Sequence, residues 1–394
     1  MKRRPLPHAG GGAGTADAAV QFLDFRFLDL HHVVLFGLVS KACREAALRY
    51  LHTLSSLDFS PYQKLINRAV LVLRSSPHVS RVSVAGCTLL RPDRVMYDNI
   101  QHLDVSNCRQ LTDAHVEHIA QSASRLVSFS CANCIKVTDA GLMPLITTHH
   151  NALVHLDLAN TSISDVIADA IATCVNLRFL SVAHPSHQYS LPSQQSHAVV
   201  ASFTDTGLLA IASSCLLLES VNLDGRVRIT SRGVLGLRGI TSLTRLNLSK
   251  TAVGDALFPH LSPLPWPALV DLNLCGLSAQ RAAAGVSDAS LGPFLAACRH
   301  LERVDLSANM AITDATINRL LHGSATTLRC VYLTRTSISW DAIWRLASDA
   351  PHLRELVVAR CPKLTGFKAK AKQFHQAFPV VLAQHLSDQA AQWF

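Results

Sequence analysis

The chain has 394 residues, of which 49% are apolar and 16% are charged, and its formal net charge is +9 at pH 7. This composition excludes an intrinsically disordered chain. No uninterrupted apolar run approaches the length of a membrane-spanning helix, so no membrane partner is predicted.

The cysteines indicate a reducing environment. Eleven cysteines, an odd number, do not suggest a disulfide framework in a chain of this length. Their spacing instead follows two repeat phases: Cys87, Cys108, Cys134 and Cys361 share one, and Cys174, Cys215 and Cys298 share the other. Thiols placed by a repeat are expected to be buried and reduced, which predicts a cytoplasmic or nuclear protein.

Residues 1–18 are basic and rich in Gly, Ala and Pro, and we predict that they form a disordered tail. They contain no apolar segment typical of a secretory signal. Because no acidic residue precedes Asp17, a mitochondrial presequence is the alternative interpretation.

Segment 19–60 is predicted to be helical, with Asp29 placed to cap a helix whose apolar residues fall on one face. Its characteristic residues are, in order, Leu28-Asp29, Leu38-Val39-Ser40-Lys41, Arg44 and Leu57-Asp58. This order resembles an F-box, although Cys43 stands where that family usually has a tryptophan, and Leu6-Pro7 lies further upstream than the family's leading motif. The alternative is a helical cap that only covers the first open edge of the repeats that follow.

A repeated phrase organises the rest of the chain. It is clearest as Ile100-x-x-Leu103-x-Val105-x-x-Cys108-x-x-Leu111-Thr112-Asp113, and it returns at Leu126 after about 26 residues, a period typical of leucine-rich repeats. An atypical repeat begins at Val79, and full repeats begin at Ile100, Leu126, Leu153, Leu177, Leu218, Leu243, Leu269, Leu301, Leu328 and Leu353. The chain therefore resembles an F-box/leucine-rich-repeat protein of the cysteine-containing subfamily.

The fold implied by this resemblance is an α/β leucine-rich-repeat solenoid. We expect a horseshoe with parallel strands on the concave face and helices on the convex face over residues 61–365, preceded by the F-box-like helical segment 19–60. Residues 366–394 are predicted to form a C-terminal cap or tail, since the last open edge of a solenoid has to be covered.

Each repeat is predicted to contain a short strand, a buried ladder position and a capped helix. In one strand, Leu156 and Leu158 should point inward and Asp157 outward. The ladder position is occupied by Cys108, Cys134, Thr161, Thr251, Asn309, Thr336 and Cys361. The helices should start at Thr112-Asp113, Thr138-Asp139, Ser164-Asp165, Thr204-Asp205, Ser287-Asp288 and Thr313-Asp314. There the hydroxyl caps the helix and the aspartate complements its dipole, so we interpret these aspartates as structural.

Two repeats are longer than the others, because residues 184–201 and 280–285 interrupt them. Both insertions are predicted to be loops. Insertions in solenoids often contribute binding surface, and a surface loop without a partner is the alternative.

No pattern predicts catalysis, a metal site or a cofactor. Cys131-x-x-Cys134 has a zinc-like spacing, but the repeat phase assigns both cysteines to the interior and no second pair completes a site. His115 and His118 lie three residues apart without a third ligand. We therefore expect a non-catalytic protein.

The concave face is the broad surface expected to bind a partner. Most strand residues that face it are small and polar. The exceptions are the apolar residues Phe179, Tyr332 and Val357 and the forked donors Arg245 and Arg303. Because aromatic residues and Arg are enriched among interface hot spots, we predict that these five residues contact a protein ligand.

The resemblance implies the substrate-recognition F-box subunit of a Skp–cullin-type ubiquitin ligase. In that family the F-box binds a Skp-type adaptor and the repeats hold a protein substrate, which raises its effective concentration near the ligase. The candidates for adaptor contact are Leu28, Leu30, Val34, Leu35, Leu38 and Val39.

The alternative function is a structural leucine-rich-repeat scaffold in a large assembly, mitochondrial or ribonucleoprotein, because a pI of about 9.1 favours contact with phosphate. The densest basic cluster is Lys363, Lys368, Lys370 and Lys372. No aromatic residues are interleaved with these lysines, so we interpret them as a solvated flank, and a nucleic-acid partner is the less favoured interpretation.

Overall fold

The computed structural model describes residues 32–33, 39–62, 78–87, 98–184, 202–277 and 286–378. Within these ranges, three-residue strands pair in parallel and form one sheet of twelve strands in sequence order. The strands are β1 Ser56–Asp58, β2 Arg81–Ser83, β3 His102–Asp104, β4 Ser128–Ser130, β5 His155–Asp157, β6 Phe179–Ser181, β7 Ser220–Asn222, β8 Arg245–Asn247, β9 Asp271–Asn273, β10 Arg303–Asp305, β11 Cys330–Tyr332 and β12 Glu355–Val357. The predicted α/β leucine-rich-repeat solenoid is confirmed.

Helices connect the strands and pack side by side on the core side of the sheet. They are α1 Lys41–Thr53, α2 Asp113–Ser122, α3 Asp139–His149, α4 Ala168–Ala172, α5 Asp205–Ser214, α6 Ser231–Gly236, α7 Asp288–Ala297, α8 Asp314–Ser324, α9 Trp340–Asp349 and α10 Phe367–Ala377. Short 3₁₀ helices occupy Ser60–Tyr62, Asp165–Ile167, Leu237–Gly239 and Phe258–Leu261. The opposite face of the sheet, formed by the first and third residue of each strand, is called the concave face below.

The core runs through all the described repeats as one cluster. The middle residue of each strand and the residue two positions later point into it: Leu156 and Leu158 are both 0% exposed, whereas Asp157 between them is half-buried. This is the alternation that a strand with one buried face requires. The predicted inward positions are therefore correct.

The ladder position is buried in each repeat for which it was predicted. The thiol of Cys108 donates to the carbonyl of Val84 at 3.3 Å, and the thiol of Cys134 donates to the carbonyl of Val105 at 3.3 Å. Burial raises the pKa of Cys134 to about 11. These cysteines thus satisfy backbone carbonyls of the preceding repeat, as a buried polar backbone requires.

The aspartates at the helix starts do more than complement the helix dipole. Asp113 accepts the backbone N–H of Thr138 and its hydroxyl, both at 2.7 Å, and so joins one helix cap to the next. The same pair of bonds links Asp139 to Ser164, Asp165 to Thr204, Asp205 to Thr230, Asp288 to Thr313 and Asp314 to Ser339. The aspartates therefore have the predicted structural role, and they fulfil it mainly by hydrogen bonding to the next repeat.

The long insertion does not interrupt the sheet. Phe179 on β6 and Ser220 on β7 are direct partners, although 41 positions separate them in the chain. Residues 185–201 and 278–285, which contain most of the two predicted loops, lie outside the described residues.

Helices also lie at both ends of the repeats. Ser40 caps α1 by accepting the N–H of Cys43 at 3.1 Å, and α1 buries Cys43, Ala46, Ala47 and Leu51. At the other end, Phe374 of α10 is 0% exposed and its ring lies 5.6 Å from that of Trp344 on α9. The predicted domain limits at residues 18, 60 and 365 remain predictions.

Candidate protein-binding groove

In-register parallel pairing aligns equivalent residues of successive strands across the concave face. Between β5 and β11 these side chains surround a groove of about 650 Å³, which we call the β5–β11 groove. Its lining residues are His155, Phe179, Ser220, Val221, Asn222, Arg245, Leu246, Asn247, Asp271, Asn273, Arg303, Asp305 and Tyr332. Aromatic rings mark its two ends, and polar side chains lie between them.

The first end is a stacked pair of rings. The centroids of His155 and Phe179 lie 4.0 Å apart with an interplanar angle of 9°. Burial lowers the pKa of His155 and outweighs the opposing effects of Asp157 and Asp104, while His102 and, to a smaller extent, Arg245 lower it further. The imidazole is therefore neutral at pH 7, and the stacked pair, called the His155–Phe179 platform below, is largely apolar.

The second end is a cation–π pair. The guanidinium carbon of Arg303 lies 4.9 Å from the ring centroid of Tyr332. The Tyr332 hydroxyl donates to a carboxylate oxygen of Glu355 at 2.9 Å, and burial together with this bond raises the pKa of Tyr332. The bond to Glu355 thus fixes the hydroxyl, and Arg303 lies over the ring face.

Three amides form the floor between these ends. The Oδ1 atom of Asn222 accepts the N–H of Asp224 at 3.1 Å. The Oδ1 atoms of Asn247 and Asn273 accept the N–H two residues later in the same way, at 3.0 Å in both cases. Because each oxygen is used in a turn, the Nδ2 group remains as the donor that the amide offers to a ligand.

Two carboxylates lie among these donors. Burial raises the pKa of Asp271, and Arg303 and Arg245 oppose that rise. Burial also raises the pKa of Asp305, against the bonds from Ser307, whose N–H reaches its Oδ1 at 2.9 Å. The groove therefore contains charges of both signs.

The guanidiniums of Arg245 and Arg303 form no direct salt bridge among the described residues, although both act on the nearby carboxylate of Asp271, which is their partner on β9. Both side chains are exposed, and among the described residues no carboxylate oxygen lies within 4.0 Å of their nitrogens. The ion pairs found in this part of the chain lie just before the strands instead, between Arg178 and Glu219 and between Arg329 and Glu302.

Four of the five residues predicted to bind a partner line this groove: Phe179, Arg245, Arg303 and Tyr332. Val357 on β12 is half-buried on the same face, beyond the end of the groove. Their contact with a protein remains a prediction.

Sequence reasoning did not single out His155, the three floor amides, Asp271 or Asp305. The signal was present in the alignment of the repeats, since each of these residues occupies the same two strand positions as the predicted anchors. The role of these residues can be recognised only once the pairing of adjacent strands is known. His155, for example, forms the platform because its strand partner is Phe179, on which its ring stacks.

Of the candidates for adaptor contact, only Val39 belongs to the described residues, and its side chain is 75% exposed. Leu28, Leu30, Val34, Leu35 and Leu38 lie outside them.

Within the described ranges, no group of three or more His, Cys, Asp or Glu side chains is arranged to hold a metal ion. No helix there has the length and apolar character needed to cross a membrane.

No protein-family model and no curated protein matches the chain. Among solved structures, the chain is similar to one in the crystal structure of the Rad7 and Elc1 complex in yeast, with 14% sequence identity, coverage of 90% of each chain and a TM-score of 0.54. It is also matched to an internalin from Listeria monocytogenes, with 13% identity over 75% of this chain and 66% of that one, at a TM-score of 0.40. The first likeness supports the repeat fold.

Proposed function

We propose that this chain is a non-catalytic receptor that holds a protein partner in the β5–β11 groove. The observation that carries the proposal is the groove itself, where two exposed guanidiniums without a salt bridge accompany the His155–Phe179 stack and Tyr332. Aromatic and Arg side chains with free surface are the residue types that dominate interface energies.

We further propose that the partner is a substrate, and that the chain is the F-box subunit of a Skp–cullin-type ubiquitin ligase. The order of residues between 28 and 58 supports this role. Val39, the one candidate for adaptor contact among the described residues, is 75% exposed and therefore accessible to such a partner. The similar fold solved in complex with Elc1 shows such a chain together with a second protein.

The test is co-expression of the full chain with a Skp-type adaptor, followed by affinity purification. The unmutated chain should retain the adaptor, and Leu35→Asp, Leu38→Asp and Val39→Asp should lose it, because a buried carboxylate is costly in an apolar interface. Val166→Asp is the matched control, since Val166 is 64% exposed on a repeat helix remote from the F-box-like segment. Failure of the unmutated chain to retain the adaptor would refute the ligase assignment.

We propose a cytoplasmic or nuclear location for this receptor. The cysteines are free, and most are buried, as in proteins of reducing compartments.

The alternative of a scaffold in a mitochondrial or ribonucleoprotein assembly is favoured by one observation. Helix α10 contains no acidic residue, and its Lys370 and Lys372 are exposed. If this function holds, RNA binding should be sensitive to salt and should be weakened by Lys370→Gln together with Lys372→Gln.

A further inference from the structure

We infer that the β5–β11 groove selects an extended acidic segment of its partner, with one carboxylate side chain held by Arg245 and an aromatic side chain about three residues away on the His155–Phe179 platform. This inference rests on the proposed receptor function and adds the chemical class of the segment that is bound.

Five side chains of the groove offer N–H donors, whereas two, Asp271 and Asp305, are carboxylates. Asn222, Asn247 and Asn273 each have an oxygen occupied by a turn and an amide group left to donate. Arg245 and Arg303 add two guanidiniums that have no carboxylate oxygen within 4.0 Å among the described residues, although Asp271 lies between them on β9. Since a ligand that covers these donors must supply acceptors for them, the ligand that fits is rich in carbonyl and carboxylate oxygens, as an extended acidic peptide is.

Arg245 is the better placed of the two guanidiniums to receive the ligand's carboxylate. Arg303 already lies over the ring of Tyr332 at 4.9 Å. Arg245 has no such ring contact among the described residues, and an arginine can bind a carboxylate through two parallel N–H bonds.

The spacing of the anchors follows from the sheet. Phe179 is on β6 and Arg245 is on β8, so they are two strand positions apart, or about 10 Å at the usual spacing between strands. An extended peptide advances about 3.3 Å per residue, so about three residues separate the two anchors. The segment would run across the strands from the platform toward Tyr332.

The floor carboxylates limit the charge that the ligand can carry. Asp271 on β9 is the direct strand partner of both Arg245 and Arg303, and Asp305 follows Arg303 two residues later on β10, on the same face. With two negative groups already present, a single carboxylate fits the groove better than a phosphate, which carries nearly two charges. The charges facing the ligand are thus those of Arg245, Arg303, Asp271 and Asp305, with His155 neutral at pH 7.

A cationic segment is disfavoured by the depth of these charges. The two guanidiniums are exposed, whereas Asp271 and Asp305 are half-buried on the same face. An approaching lysine would therefore meet the arginines before it reached either carboxylate.

The test is fluorescence anisotropy with the full chain and a short labelled peptide containing Phe-Gly-Ser-Glu in a Gly/Ser background. Matched peptides carry Gln, Lys or phosphoserine in place of Glu. The Glu peptide should bind about tenfold or more tightly than the Gln peptide, because the bond it makes is charge-assisted. Equal or tighter binding of the Gln, Lys or phosphoserine peptide would overturn the inference.

The variant Arg245→Gln should bind the Glu and Gln peptides equally, and Arg245→Lys, which keeps the charge but not the fork, should recover part of the preference. Arg232→Gln is the control, because Arg232 is exposed on α6. Unchanged preference in Arg245→Gln would also overturn the inference. Co-purification of the adaptor tests the receptor function separately, so a chain that retains the adaptor and ignores the Glu peptide contradicts the inference alone.

Discussion

The carboxylate of Asp113 and the side chain of Thr138 form the joint between two successive repeats. Asp113 accepts both the N–H and the hydroxyl of Thr138 at 2.7 Å, while the same hydroxyl oxygen accepts the N–H of Ala140 at 3.2 Å. One threonine thus caps its own helix and is held by the preceding helix. Because the pattern recurs along the solenoid, each helix start is positioned by the one before it.

Removing one such carboxylate should weaken the joint. We expect Asp113→Ala to lower the free energy of unfolding by about 1–3 kcal/mol, because the N–H of Thr138 loses its acceptor in a half-buried site. Urea unfolding followed by circular dichroism measures the change. Asp169→Ala is the matched control: Asp169 lies in the first turn of α4 and is exposed. An equal effect in both variants would show that the helix dipole, and not the joint, is responsible.

The joint also explains a glycine in the first turn of α3. A methyl group at Gly141 would lie 2.6 Å from the Cα atom of Asp113, closer than two carbon atoms can approach. We therefore expect Gly141→Ala to lower the melting temperature, at a cost of about 1–3 kcal/mol, because the two helix starts would have to separate. At Gly239, where no atom lies within 4 Å of the same position, alanine should be neutral or slightly stabilising. Similar losses in both variants would contradict the close approach.

The repeat fold is predictable from the sequence because its signals are local. The spacing of Leu156 and Leu158 identifies the buried side of a strand, and Thr138-Asp139 identifies the start of a helix, without knowledge of any other repeat. The bond from Thr138 to Asp113 is not local, since the two residues are 25 positions apart. It follows from the lateral offset between repeats, which composition and period do not determine.

In the β5–β11 groove, too, the sequence predicts positions on the sheet but not the contacts between repeats. Strand phase alone places Phe179, Arg245, Arg303 and Tyr332 on one face. Their interactions depend on which neighbour lies alongside each, as in the ring contact of Arg303 with Tyr332. The orientation of the Asn247 side chain could not be predicted for another reason. A carboxamide can present either its oxygen or its nitrogen to a ligand, and only the hydrogen bond from the N–H of Ser249 shows that the oxygen is occupied.

Thiol reactivity should follow burial. Burial raises the pKa of Cys131 well above its usual value and that of Cys298 to about 12, so neither forms much thiolate in the folded protein. Cys330 is half-buried, and its pKa is raised by burial and by Glu355. Alkylation with iodoacetamide followed by mass spectrometry should modify Cys330 first, and Cys131 and Cys298 only after unfolding. Modification of Cys131 as rapid as that of Cys330 would show that the repeat core opens.

Acid should destabilise the fold through His149. This residue is 4% exposed at the end of α3, its Nε2 atom has no hydrogen-bond partner among the described residues, and burial lowers its pKa from 6.5. The unfolded chain therefore binds a proton at a higher pH than the folded chain, so stability falls as the pH drops below 6.5 and levels off below the folded pKa. The pKa values of His102 and His155 are lowered in the same direction.

Urea unfolding at a series of pH values measures this dependence. His149→Leu should reduce the loss of stability on acidification, since it removes a group that must be neutral when folded. His322→Leu, at an exposed position on α8, is the control and should leave the slope unchanged. An unaltered slope in His149→Leu would exclude His149 as a source of the acid sensitivity.

Binding in the β5–β11 groove should respond to acid in the opposite sense. As the pH falls, His155 gains a positive charge at its lowered pKa, while Asp271 and Asp305, whose pKa values are raised, lose their negative charges earlier than ordinary carboxylates. All three changes make the groove more positive, and a glutamate in the ligand stays ionised down to about pH 4.3.

The affinity for the Glu peptide should therefore rise as the pH falls below 6.5, because the lowered pKa of His155 lies below that ordinary value, and the rise should end near the pKa of the ligand's glutamate, about 4.3. Anisotropy titrations at constant ionic strength measure it. His155→Phe keeps an aromatic ring on Phe179 but cannot gain charge, so it should preserve binding at neutral pH and flatten the response on acidification. The part of the response that survives in His155→Phe belongs to Asp271 and Asp305. A Glu peptide that binds more weakly as the pH falls, or a Lys peptide that binds more tightly, would be incompatible with a groove whose positive charge receives the ligand.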